Sequence, residues 1–197
     1  GPFRSILTGE RTALNFLGFL SGIATLTAAY VAAAAAGGDA RVWDTRKTVP
    51  GLRSLSKAAV RAGGGRNQRG NLSDWMLIKD NHLGGVAITD AVATARDRWP
   101  GRTVHVECDS LDQCAEALDA GADSILLDNM APPQLRDAVA LVAGRATTEA
   151  SGGVTLDTVR EIAATGVHRI SIGALTHSAP NADLALEIRS VDRRSRD

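Results

Sequence analysis

From Ala40 onward the chain alternates short β-like runs with amphipathic helical stretches, and that alternation limits its fold more than any other feature. Residues 40–43, 75–78, 103–106, 124–127 and 169–172 read as buried strands, with a further strand at 146–148. The helices between them carry clear punctuation. Thr89 can cap a helix that stops before Pro100, and the 111–120 stretch ends at Gly121. Pro132 and Pro133 open a helix that Gly144 closes, and the stripe of Leu156, Val159, Ile162 and Ala163 ends at Gly166. Repeated strand–helix–strand units imply parallel strands joined by crossovers. The expected class is therefore α/β: an incomplete TIM-like (β/α) barrel over 39–197, preceded by a helical connecting segment over 1–38. No glycine-rich dinucleotide fingerprint follows the first strand, which argues against a Rossmann arrangement.

A chain of 197 residues is large enough to bury one proper core. The formal net charge is zero and aromatic residues are only 4%, so neither nucleic acid nor an anionic membrane surface is an expected partner. Residues 12–38 carry no charge, long enough for a bilayer span. Asn15, Ser21, Thr25, Thr27 and Tyr30 interrupt them, however, and much of the remainder is Ala and Gly, so buried helix without a membrane is the reading adopted. Cys108 and Cys114 are too few for a disulfide framework and fit a reduced, cytoplasmic protein.

The chemistry concentrates at the strand ends. Only three of the 22 basic residues are Lys, and two of these, Lys47 and Lys79, stand in dense polar motifs. Lys is a compact charge whose pKa moves readily on burial, which Arg cannot copy. In a parallel barrel the active site lies at the C-terminal ends of the strands. Asp44, Arg46 and Lys47 follow the first strand, and Lys79, Asp80 and Asn81 the second. Glu107 ends the third, Asp128 and Asn129 the fourth, and Glu149 with Ser151-Gly152-Gly153 follows the fifth. Gly173 follows the sixth. Together they point to a shared site for several anionic groups. Glu107 and Asp128, on neighbouring strand ends, suit Mg²⁺ or a ribose, or else simply neutralise Lys79. Ser151-Gly152-Gly153 and Ile172-Gly173-Ala174 are candidate phosphate cradles. Arg46, Lys47, Arg66 and Arg69 form the basic half, with Arg66 equally readable as a solvated charge. His105 and Cys108 read as structural, and His82 as a ligand or a core residue. The run Gly63-Gly64-Gly65 reads as a mobile or ligand-facing loop.

Eight motifs in order resemble the quinolinate phosphoribosyltransferase family, the decarboxylating enzymes of pyridine-nucleotide synthesis. They begin at Gly9-Glu10-Arg11-Thr12-Ala13-Leu14-Asn15-Phe16-Leu17 and Leu20-Ser21-Gly22-Ile23-Ala24-Thr25. Asp44-Thr45-Arg46-Lys47-Thr48, Gly63-Gly64-Gly65 and Leu77-Ile78-Lys79-Asp80-Asn81-His82 follow. Leu126-Leu127-Asp128-Asn129, Glu149-Ala150-Ser151-Gly152-Gly153 and Gly173-Ala174-Leu175-Thr176-His177 complete the series. The resemblance implies that quinolinate and phosphoribosyl pyrophosphate, with Mg²⁺, give nicotinate mononucleotide, pyrophosphate and CO₂ in NAD biosynthesis. It assigns Arg11, Arg46, Lys47, Arg69 and Lys79 to the anionic substrates, with Gln68 beside them. It assigns Glu107 and Asp128 to the ribose and metal, and Ser151, Gly152, Gly153 and Gly173 to the 5-phosphate. Lys79, Glu107 and Asp128 are the implied catalytic residues. Arg11 is expected to reach a neighbouring subunit's site, which implies a homodimer.

Two departures from the family are visible. Its members carry a further α/β domain ahead of the Glu10-Arg11 region, and this sequence is expected to comprise the barrel without it. The family's Asn-His-Arg appears here as Asn67-Gln68-Arg69, and Ser56 and Ala58 replace a usual Glu and Tyr. Gln68 leaves room for a related phosphoribosyltransferase with a different aromatic-acid acceptor. The missing domain leaves room for an inactive homologue acting as a binding subunit.

Overall fold

The computed structural model describes residues 2–189. Six parallel strands form one sheet: β1 (Arg41–Trp43), β2 (Met76–Ile78), β3 (Val104–Cys108), β4 (Ser124–Asp128), β5 (Thr147–Ser151) and β6 (Arg169–Ser171). Their spatial order is β1-β6-β5-β4-β3-β2, so β1 and β2 are the two edges. One cavity is lined both by the residues after β1 and by Leu77 and Lys79 at β2, which means that the sheet curls until its edges face each other. An isolated parallel bridge from Trp43 to Arg66 extends the β1 edge. The backbone of Arg66 donates to Val42 and accepts from Asp44. The result is the expected TIM-like barrel, left open between the 66–69 segment and β2.

Each strand of a sheet covered on both faces is buried along its length. On β4, Ile125 and Leu127 are fully buried, and Leu126 points to the cavity side. The outer layer comprises α2 (Arg53–Ala62), α4 (Ile88–Arg98), α5 (Leu111–Asp119), α6 (Pro132–Val142) and the short α7 (Val159–Ala163). The single turns α3 (Asp80–Leu83) and α8 (Ala174–His177) follow β2 and β6. Ser110 caps α5 by accepting from the Gln113 amide. Thr89 does not cap α4. Ala87 holds that position, and the Thr89 hydroxyl and backbone amide instead bond Glu116 on α5.

The charge-free N-terminal stretch belongs to one helix, α1 (Phe3–Ala35), which is long and apolar enough to cross a membrane by length and composition. Ile23, Thr27, Tyr30 and Ala34 recur at three- and four-residue spacing along its buried face, below Gly18 and Gly22. This stripe packs on α2, α7, α8 and β1. Phe3, Ile6, Leu7, Phe16 and Leu17 lie exposed on the same helix.

The triple glycine is not ligand-facing. A Cβ on Gly63 would stand 2.3 Å from the Ala24 carbonyl oxygen, and one on Gly65 2.7 Å from the Thr27 methyl. These glycines let α1 lie against the end of α2. Gly63→Ala should therefore lower the unfolding free energy by about 1–3 kcal/mol, the usual cost of overpacking. Gly9→Ala, at a site with nothing within 4 Å, should leave stability unchanged or raise it. Urea unfolding of both variants checks the pair.

Candidate active site

A cavity of about 440 Å³ opens at the C-terminal ends of the strands. It gathers Arg46, Lys47, Gln68 and Arg69 on one side, with Lys79, Glu107, Asp128 and the Ser151-Gly152-Gly153 run on the other. Ten of the twelve residues that the family resemblance assigns to the site therefore share one space. Arg11 is not among its lining residues and lies exposed on α1. Gly173 sits behind Lys47, where an added Cβ would come within 3.3 Å of the Lys47 Cδ. A wider, more apolar groove adjoins the cationic side, running from Arg46 and Arg69 over Met76 and Ile78 to Trp99.

Asp44 does not line the cavity. It is fully buried, accepting from Lys57 Nζ at 2.5 Å, Asn67 Nδ2 at 2.7 Å and the Gln68 amide at 2.8 Å. Burial pushes its carboxyl up, against the pull of these donors. Lys57 also donates to the Gln68 carbonyl oxygen at 2.9 Å. One buried ion pair thus joins the end of β1 to the 66–69 segment and fixes where Gln68 and Arg69 emerge. Arg53 adds a second brace on the same side. Its guanidinium donates to the Arg46 carbonyl, the Thr48 hydroxyl and the Gly70 carbonyl. The sequence alone does not reveal these roles of Lys57 and Arg53.

Arg69 is only 8% exposed. The Nε atoms of Arg46 and Arg69 are both buried without a hydrogen-bond partner in the described structure. Burial lowers the Arg69 pKa, and the like charge of Arg46 adds to that effect. Two crowded guanidinium groups with unused donors make a receptor for an anion.

On the opposite side Lys79 Nζ pairs with Glu107. The carboxylates thus neutralise Lys79 at least in part, one of the readings that the sequence allows. Asp128 accepts from Asn129 Nδ2 at 2.7 Å, and Asn129 itself adopts a left-handed backbone with φ of 54°. Gly152, with φ of +94°, leaves room for that side chain, since a Cβ there would stand 2.1 Å from Asn129 Oδ1. Gly153 is also left-handed, with open space beside it. His82 is not a core residue. It is exposed beside the wider groove, and its Nδ1 accepts from the Lys79 amide at 3.2 Å.

Beneath the cavity lies a buried polar layer. Glu149 is a residue of β5, not of the loop after it, and is fully buried. Its Oε1 accepts from Gln68 Nε2 at 3.0 Å and from the Ser171 hydroxyl. Its Oε2 has no hydrogen bond in the described structure and lies 3.9 Å from His105 Nε2 and 4.0 Å from Arg169 Nη1. Arg169 in turn stacks 4.5 Å above the Trp43 ring. Cys108 and Cys114 are buried free thiols.

The family model for the C-terminal domain of quinolinate phosphoribosyl transferase matches residues 23–187. This chain belongs to that family. It is 46% identical over 189 residues to the nicotinate-nucleotide pyrophosphorylase (carboxylating) of Mycobacterium leprae, covering 94% of this chain and 66% of that protein. It is 44% identical over 191 residues to a probable nicotinate-nucleotide pyrophosphorylase (carboxylating) of Bacillus subtilis, covering 95% of this chain and 65% of the relative. The crystal structure of NadC from Streptococcus pyogenes superposes with a TM-score of 0.89 at 48% identity, covering 93% of this chain and 65% of that one. The chain thus spans just under two-thirds of the length of these curated relatives. Ser56, at a position where the family usually has Glu, is fully buried here, and its hydroxyl has no partner in the described structure.

His105 makes the buried layer sensitive to acid. Burial holds its pKa down at about 4, from an ordinary 6.5, with Glu149 opposing the shift and Arg169, Arg69 and Lys79 reinforcing it. Between those values the unfolded chain takes up a proton that the folded chain refuses. Stability should therefore fall as pH drops from about 6.5 to about 4, by on the order of 3 kcal/mol. His105→Gln should flatten that window relative to the parent, as read by urea unfolding at several pH values.

Proposed function

We propose that this chain transfers the phosphoribosyl group of phosphoribosyl pyrophosphate to quinolinate, with loss of CO₂, to give nicotinate mononucleotide. The observation that carries this reading is the pair Arg46 and Arg69, which line a cavity whose far side is acidic and glycine-rich and whose Nε donors have no hydrogen bond in the described structure. Family membership supplies the chemistry that such a site serves. The names of the relatives from Mycobacterium leprae and Bacillus subtilis agree with it.

In this reading Arg46, Arg69 and Lys79 hold a carboxylate of the aromatic acid, with Lys47 and Gln68 beside the rest of it. The Ser151-Gly152-Gly153 run, backed by Gly173, holds the 5-phosphate. Backbone amides at left-handed glycines approach an anion closely. Glu107 and Asp128 face the ribose and would hold Mg²⁺. The fit is reasonable: no group of three potential ligands occurs among the described residues, and Mg²⁺ accepts one or two carboxylates and takes its other oxygens from phosphate and water. The ion would neutralise charge on the departing pyrophosphate. The ring nitrogen forms the bond to the sugar carbon as pyrophosphate leaves. Positive charge developing on the sugar is stabilised by the nearby carboxylates. The carboxylate next to the ring nitrogen then departs as CO₂, its bonding electrons pass to the ring carbon, and a proton replaces it. The residues act by placing two anions in line and matching charge as it develops.

The proposal extends to a homodimer in which Arg11 of one copy reaches the site of the other. The exposed apolar residues around it on α1, Leu7, Phe16 and Leu17, support an interface there. A reducing, cytoplasmic setting fits the two buried free thiols.

Mass spectrometry of products from quinolinate, phosphoribosyl pyrophosphate and Mg²⁺ tests the activity. Nicotinate mononucleotide is expected from the parent chain, and Lys79→Ala should cut its rate at least about 100-fold. No product from the parent would overturn the activity for this chain. Gly152→Ala must displace Asn129, so it should weaken phosphoribosyl pyrophosphate binding about tenfold or more while leaving quinolinate binding close to the parent's. Calorimetric titration with each substrate separates the two effects.

A further inference from the structure

The buried layer decides which end of the Gln68 amide faces the cavity. Glu149 Oε1 accepts from Gln68 Nε2, and the amide nitrogen is the only donor that a Gln side chain has. The Gln68 carbonyl oxygen is therefore turned away from Glu149. It has no hydrogen bond among the described residues, it is not one of the buried unpartnered atoms, and the open space beside Gln68 is the cavity. The main chain cannot readily swivel to change this. The Gln68 backbone amide is held by Asp44 and its backbone carbonyl by Lys57. Amid Arg46, Arg69 and Lys79, the chain thus presents one fixed hydrogen-bond acceptor.

We infer that Gln68, clamped by Glu149, is a specificity-determining residue that favours an aromatic acid carrying a hydrogen-bond donor, such as a carboxamide, beside its carboxylate. This deepens the proposed function and rests on the cavity being an aromatic-acid site. The cations hold one carboxylate of any such acid. A second ionised carboxylate at Gln68 brings only acceptors to an acceptor, whereas a carboxamide brings a donor. A site built to pair with a donor discriminates strongly against a ligand that lacks one. Quinolinate remains a ligand through its cation-held carboxylate, at lower affinity than the matching monoamide. Glu149 acts as a positioning residue, since it sets the amide orientation without touching the ligand.

Calorimetric titration of the chain with quinolinate and with each of its two monoamides tests the inference. The parent is expected to bind one monoamide about tenfold or more tightly than quinolinate. In Glu149→Leu the acceptor that orients the Gln68 amide is lost, so the preference should fall toward parity. Gln68→Leu should abolish the preference without reversing it, which keeps the test decisive if the first variant does not fold. A parent that binds quinolinate more tightly than both monoamides overturns the inference and leaves the proposed function standing. An affinity ratio unchanged in a folded Glu149→Leu or Gln68→Leu variant overturns it in the same way. Failure of the parent to bind any of the three acids overturns both readings.

Discussion

The site depends on one buried ion pair. Asp44 and Lys57 lie almost entirely out of water, and what surrounds them makes that tolerable. The Asp44 carboxylate takes three donors, and the Lys57 ammonium adds the Gln68 carbonyl as a second acceptor. A buried pair repays its desolvation only when remaining lone pairs and protons are also satisfied. Here those extra bonds are also the links that attach the 66–69 segment to β1. This segment has one bridge to the sheet and no apolar run of its own to hold it in place. Removing either charge would leave the other buried and unpaired, and would free the two residues, Gln68 and Arg69, that the segment delivers to the cavity.

The strand alternation then places the chemistry in layers. Register sets Glu107 beside Leu126 and Leu126 beside Glu149, and sets Asp128 beside Ser151 and Ser151 beside Ser171. Side chains on one face of neighbouring strands stack in such rows. The first row includes the buried Glu149, whose partners Gln68 and Ser171 lie above it. The second row carries Asp128 and leads through Ser151 into Gly152 and Gly153. A parallel sheet that brings every C-terminal end to one rim makes that rim the only place where so many polar side chains can meet.

Much of this is legible in the sequence. Five of the six strands and the four crossover helices α4 to α7 stand out, because buried parallel strands are short apolar runs closed by polar or glycine residues, while β5 is read only over 146–148. The cavity residues stand out for the same reason, as charges where a strand stops. What the sequence hides has a common physical character. Arg53 and Lys57 lie on α2, which has few large apolar residues to mark it as an element, although its long polar side chains brace the site from behind. Glu149 looks like a loop residue because the β5 sequence Thr147-Thr148-Glu149-Ala150-Ser151 has hardly any apolar character. Gly63-Gly64-Gly65 looks like a ligand loop because a sequence does not distinguish a glycine that admits an anion from one that admits a neighbouring helix. Asp44 looks like a site residue because its burial depends on partners 13 to 24 positions away.

The charges of the cavity are unequal in what they gain from a ligand. Lys79 and Glu107 already satisfy each other, so an anion arriving at Lys79 competes with a bond in place. Arg46 and Arg69 have no such compensation at Nε, and burial together with the like charge of Arg46 makes the Arg69 charge less favourable. An anion placed between them relieves desolvation and repulsion together, with donors that need little reorganisation because Arg53, Asp44 and Lys57 already fix the backbone on either side. Most of the attraction for a carboxylate therefore resides at the two guanidinium groups. The finer choice between one aromatic acid and another falls to the neutral side chain set between them and Glu149.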